Sequence, residues 1–151
     1  ATASFGHAAD AIETAGAARY LASVVAHARV EAARRQRAVA IQFTRESPVS
    51  FSVVVDGDGD GVNGADITAG IDRVMRPADR LEDHFPRVRF GIGGPLAGID
   101  DGPALTGGDD PVRFGLADRL TLTPTGTATA GISVSTPATT NSQRRPGESG
   151  A

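Results

Sequence analysis

From Ala8 to about Arg37 the apolar positions recur at three- and four-residue steps: Ile12, Ala15, Ala18, Leu21, Val24, Val25, Ala28 and Ala32. That period is one face of an α-helix, and Ala, Arg, Glu and Gln are good helix formers. Gly16 is the weak position, costing about 1 kcal/mol relative to Ala. The opposite face carries Arg19, Ser23, Arg34 and Arg37, and the run ARRQR puts positive charge where the helix dipole favours it. Such a helix would be a rod of roughly 45 Å. That is long for a chain of 151 residues. Its N-terminal part is therefore predicted to protrude, and its Ala-rich stripe to serve as an assembly contact.

After the helix the period changes from four to two. AVAIQF (Ala38–Phe43) is β-prone, TRESP turns the chain, and VSFSVVVD (Val49–Asp56) places Val49, Phe51, Val53 and Val55 on one face of a strand. The two segments predict an antiparallel hairpin. ITAGIDRVMRPADRLED predicts a short helical turn interrupted by Pro77, and RVRFGI (Arg87–Ile92) predicts a third strand. GGPLAGIDDGPALTGGDDP is dense in Gly, Pro and Asp and reads as a long loop. Arg119–Thr136 predicts a second hairpin turning at PTGTATAG, and PATTNSQRRPGESGA is a polar tail without core-forming residues. One long helix followed by hairpins, with no helix between consecutive strands, predicts an α+β fold: the helix packed on an antiparallel sheet. The expected parts are a helix over 1–37, a β-sheet head over 38–136 and a flexible tail over 137–151.

Charge sharpens this picture in the middle of the chain. Residues 1–50 carry six Arg against four acids, residues 51–110 five Arg against twelve, and the remainder four against two. All basic residues are Arg, which together with abundant Ala and Gly points to coding bias. The acidic middle argues against nucleic-acid binding by the whole domain and for a local cation site or a solvated face. No cysteine is present, which excludes disulfides and thiolate metal sites.

The acidity centres on VVVDGDGDGVNGADITAG (Val53–Gly70). Asp56, Asp58 and Asp60 supply carboxylates at loop positions one, three and five, and Gly61 at six permits the sharp turn that wraps backbone around a hard cation. The carbonyl of Val62 stands at position seven. An EF-hand closes with Glu at twelve; here twelve is Ile67 and the nearest acid is Asp66. The pattern resembles shortened Asp-rich calcium loops of the dockerin type. Ca²⁺ held by Asp56, Asp58, Asp60, Val62 and Asp66 is the expected cofactor, and a solvated Asp/Gly turn is the competing reading. The pairs Asp100/Asp101 and Asp109/Asp110 read as loop solvation. His7, His27 and His84 share no metal-ligand spacing, GIGG (Gly91–Gly94) lacks the rest of a phosphate loop, and no activated serine is in evidence. No catalysis is expected.

Three segments resemble the GspH/FimT-like family of pseudopilins and minor type IV pilins. ARYLASVVAHARVEAARRQRAVAIQF (Ala18–Phe43) looks like the family's lower spine helix running into its first strand, with Arg29, Ala32, Ala33, Arg34 and Arg35 at the matching places. FSVVVDGDGDGVNGADITAGIDRV resembles the second strand with an Asp/Gly insertion. LTLTPTGTATAGISVS (Leu120–Ser135) resembles the late hairpin, with Pro124, Gly126 and Gly131 at its turn positions. The resemblance implies a structural subunit of a type II secretion or type IV pilus filament, located in the periplasm or at the cell surface. Its implied partners are other pilin or pseudopilin subunits and the inner membrane, reached through a preceding apolar helix of about 20 residues. The alternative is a binding module: a calcium-dependent adhesin-like domain, or a minor pilin capturing DNA through Arg34, Arg35, Arg37, Arg144 and Arg145. Nucleic acid is the less favoured partner, because the tail NSQRRPGESGA lacks the β pattern that flanks the family's basic turn.

Overall fold

The computed structural model describes residues 3–44, 46, 48–91 and 117–129, of which 3–7 and 129 by backbone alone. The chain forms helix α1 (Ala3–Arg35), strands β1 (Val39–Phe43) and β2 (Ser50–Val55), helix α2 (Gly64–Ala69), strand β3 (Arg73–Arg80), the single turn α3 (Leu81–His84), and strands β4 (Arg119–Leu122) and β5 (Ala128–Thr129). The strands form one antiparallel sheet in the order β3-β2-β1-β4-β5. The α+β arrangement of one long helix on an antiparallel sheet is thus realised.

The period of two divides the sheet into two faces. Val39 and Ile41 of β1, Phe51, Val53 and Val55 of β2 and Leu122 of β4 meet Ala17, Val24, Ala28 and Ala32 of α1. On the opposite face Ala40 and Val54 meet Val62 and Ile67, so α2 and its preceding loop cover the side that α1 leaves open. The acidic stretch therefore lies over the centre of the sheet, one layer away from the long helix.

Helix α1 stops because Gln36 takes a left-handed conformation (φ 52°). The Arg37 amide donates back to Ala32 O at 3.3 Å and the Gln36 amide to Ala33 O at 3.4 Å, closing the carbonyl end in the usual way. The buried stripe differs from the expected one in its upper half. Ala17 is buried where Ala15 and Ala18 were expected, and Ile12 is 73% exposed. Among the described residues, the sheet reaches only the C-terminal half of the helix. Gly16 gains a reason: a Cβ there would stand 2.9 Å from Phe85 Cε1, so the weak helical position is where the Phe85 ring sits.

Two expectations are corrected. The short helical turn expected in ITAGIDRVMRPADRLED is found at the two ends of that segment, in α2 and α3, but Arg73–Arg80 between them, Pro77 included, is edge strand β3. Proline fits there because it lies on the edge strand, next to a shift in register between Phe51 and Val53. Conversely, residues 87–91 form no strand. The alternation of Val88 and Phe90 reports packing on the core, with Phe90 edge-on to Phe43 at 6.0 Å between ring centres. The second hairpin is described as far as Thr129, and the expected long loop at 93–111 and tail at 137–151 lie outside the described residues.

Polar contacts fasten the helix to β3 and brace its last turns internally. Asp79 of β3 accepts from Tyr20 Oη of α1 and, at 2.9 Å, from Arg76; it also pairs with His84 Nε2 at 2.9 Å. Burial alone would raise the Asp79 carboxyl, but hydrogen bonds from Tyr20, His84 and the Arg80 amide outweigh it and hold the group below its usual range. Near the helix end, Glu31 Oε2 accepts from Arg34 at 2.9 Å and Arg35 at 2.8 Å, which holds its carboxyl down to about 2 from an ordinary 4.5. A depressed carboxylate contributes stability above its unfolded-state pKa and loses it as pH falls through the folded value. Acid unfolding followed by circular dichroism is expected to show this loss between pH 4.5 and about 2. In Glu31→Gln the loss over that window should be smaller; equal pH profiles for both proteins would refute the assignment.

Candidate metal centre

The alternating Asp/Gly stretch is a loop tied to itself and to the strand that follows. The Asp56 amide continues the ladder to Ala38 O at 2.9 Å. The Asp56 side chain is buried, and its Oδ1 and Oδ2 accept from the amides of Gly59 (2.7 Å) and Gly61 (3.2 Å). The turn this forces puts Gly59 and Gly61 both at φ 102°, a region that side-chain-bearing residues avoid. Gly57 is needed for space: a Cβ there would lie 2.0 Å from the carbonyl oxygen of Ile71.

The loop ends on a helix cap. Asn63 Oδ1 accepts from the Asp66 amide at 3.0 Å, its Nδ2 donates to Asp66 Oδ2, and Gly70 closes α2 in a left-handed conformation. Asp72, only 2% exposed, then reaches back. Its Oδ1 accepts from the Gly57 amide at 3.0 Å and its Oδ2 from the Asn63 amide at 2.9 Å. One buried carboxylate thus holds both ends of the loop.

Two overlapping sets of carboxylates come together, each with oxygens within 4.8 Å of one another: Asp56, Asp58 and Asp60; and Asp58, Asp66 and Asp72. Asp58 and Asp60 are exposed, Asp66 half-buried, and Asp56 and Asp72 buried. Asp60 is pushed above the usual carboxylate range by a hydrogen bond shared with Asp58, by partial desolvation, and by the charges of Asp58, Asp66 and Asp56. A divalent cation would relieve that crowding. All-oxygen donors suit Ca²⁺, and a carboxylate oxygen already accepting one amide keeps a second lone pair.

Of the residues expected from sequence, Asp56, Asp58 and Asp60 come together in one set, and Asp66 joins Asp58 in the other. The carbonyl of Val62 accepts from Arg119 Nη1, which places a guanidinium beside the position expected for the seventh ligand. Arg119 is held there by Gln42 Oε1 at 2.7 Å; burial lowers its pKa, and the charge of Asp72 opposes that shift. Asp72 was missed. Nothing local separates it from a solvated Asp, because its burial follows from the pairing of β3 with β2. His27 is exposed, and His84 belongs to the Asp79 cluster. Asp100, Asp101, Asp109, Asp110, Arg144 and Arg145 lie outside the described residues. No family model matches the chain, and no curated protein and no solved structure matches it.

Proposed function

We propose that this chain is a structural subunit of a pilin-like filament, a minor pseudopilin or minor pilin whose helix packs against neighbouring subunits. The observation that supports it is the division of α1. Ala17, Val24, Ala28 and Ala32 seat its lower half on the sheet, while Ile12 is 73% exposed on its upper half. The face turned from the sheet carries Ala11, Ala15, Ala18, Ala22 and Ala26, all exposed. Small side chains let a second helix approach closely.

The chain contains no cysteine, so engineered pairs report contacts without background. Ala11→Cys and Ala26→Cys lie roughly 22 Å apart along the rod. In the full-length protein in cells, the double variant is expected to oxidise to a ladder above the dimer, and each single variant to a dimer at most. Monomer alone in all three would reject the filament reading.

Within that reading the Asp loop holds Ca²⁺ through Asp56, Asp58 and Asp60, with Asp66 and Asp72 adjoining at Asp58, and stiffens the surface after β2. At a hundredfold excess over Kd, Ca²⁺ would stabilise the chain by about 2.7 kcal/mol and raise Tm by about 5–10 °C. Asp58 belongs to both carboxylate sets. Asp58→Ala is therefore expected to abolish the calcium response while leaving Tm in chelator unchanged or higher. An identical wild-type Tm in calcium and in chelator would sink the metal assignment and leave the filament reading to its own test. DNA capture is the weaker reading, since Arg34 and Arg35 are both engaged by Glu31 and the Arg37 guanidinium lies against Gly59.

A further inference from the structure

The Asp/Gly loop ends on the dipeptide Asn63–Gly64. The chain has two asparagines, Asn63 and Asn141, and only Asn63 precedes a glycine. Asparagine is a thermally labile residue. Its Cγ is open to attack by the main-chain nitrogen of the next residue, and a glycine there has no Cβ to shield that nitrogen. Gly64 is exposed, and a Cβ on it would meet only Arg119 Nη2 at 3.9 Å, an ordinary contact. Packing therefore does not require this glycine. Its amide is among the first-turn donors that an α-helix leaves without an intrahelical partner.

The folded chain restrains that attack. A succinimide ring needs the Gly64 nitrogen and the Asn63 side chain eclipsed about the Cα–C bond, whereas Asn63 is extended at φ −136° and ψ 161°. Closing the ring turns the Asn63 carbonyl away from the Ile67 amide, which donates to it at 3.1 Å. It also pulls Oδ1 from the Asp66 amide at 3.0 Å and Nδ2 from Asp66 Oδ2. We infer that Asn63 is a latent site of spontaneous deamidation, shut while it caps α2 and opened when the first turn of α2 frays. In the open state the Gly64 nitrogen loses its proton to hydroxide and bonds to Asn63 Cγ, and Nδ2 leaves as ammonia after taking a proton from water. Water then opens the ring, at Cγ to give aspartate or at the main-chain carbonyl to give isoaspartate. Either product exchanges the Nδ2 donor for a carboxylate beside Asp66, so the conversion leaves a permanent mark on a molecule whose loop has opened. The site rests on neither the filament reading nor the calcium reading.

The test incubates the full chain in mildly alkaline buffer, folded and in unfolding urea, and then cleaves it after arginine. The product 46–73 holds Asn63 as its sole amide side chain, so mass spectrometry reads the conversion directly. A helix cap and one backbone hydrogen bond together correspond to a factor of roughly thirty. Conversion is therefore expected to be slower by about that factor in the folded chain than in urea. Gly64→Ala, which the fold accommodates, should nearly abolish conversion in urea by shielding the attacking nitrogen. Equal rates in buffer and in urea would show that the cap restrains nothing. A ratio above about a thousandfold would mean that only global unfolding exposes the site, and would overturn local fraying as its trigger. Conversion of Gly64→Ala as fast as wild type in urea would reject attack by the main-chain nitrogen.

Discussion

Replacing Asp72 with alanine is expected to lower stability by about 3–5 kcal/mol, a large share of the 5–15 kcal/mol typical of a domain. The carboxylate is 2% exposed, and it receives the amides of Gly57 and Asn63. Truncation leaves both donors buried without an acceptor, and it removes the opposite charge facing Arg119. The loss should be present in chelator as well as in calcium, because these two bonds close the loop whether or not a cation is held. Urea unfolding in each condition measures it. Asp72→Asn retains one good acceptor and should fall between the two. A chelator-only measurement in which Asp72→Ala matches wild type would show that the loop does not depend on this carboxylate. The contrast with Asp58→Ala separates a residue that builds the loop from one proposed to act through a bound ion.

Gly57→Ala is the second large effect, at about 3 kcal/mol, the upper end for overpacking. The added Cβ would lie 2.0 Å from Ile71 O and 2.7 Å from Ile71 C, both backbone atoms. Neither strand of this contact can give way cheaply. The Ile71 amide donates to Asp66 O at 2.9 Å, the Asp72 amide donates to the same oxygen at 3.1 Å, and Gly57 is held from the other side by Asp72. Relief requires moving α2 or the start of β3. By comparison, Gly61 has open space around it and only a positive φ, so Gly61→Ala should cost less, about 1–3 kcal/mol. If thermal unfolding ranks Gly61→Ala as the more damaging of the two, the close approach of Gly57 to Ile71 is wrong.

The three alternating glycines thus do different work, although the sequence presents them as a repeat. The motif reading identified the turn and four of its acids from spacing alone. It missed Asp72 because this residue lies sixteen positions after Asp56 and joins the loop only when β3 pairs with β2. It did not show that Arg119, from β4 beyond a long intervening segment, donates to the Val62 carbonyl. Both contacts arise from pairing across the sheet, which local spacing does not carry.

The same division runs through the fold. Periodicity by itself determined the long helix, the β1–β2 hairpin and the start of the second hairpin, because a period of 3.6 or 2 follows from how side chains leave the backbone. The distribution of charge along the sequence showed that acidity concentrates after β2. Only the tertiary structure decided which half of the helix stripe is covered, since burial depends on how far the sheet reaches. It alone made a strand of Arg73–Arg80, where edge position accommodates Pro77, and a packed non-strand of Val88 and Phe90, whose alternation reports the core beneath them. It also decided that the Asp loop closes on a buried carboxylate from β3's threshold and an arginine from β4, because those groups meet only once the sheet has formed.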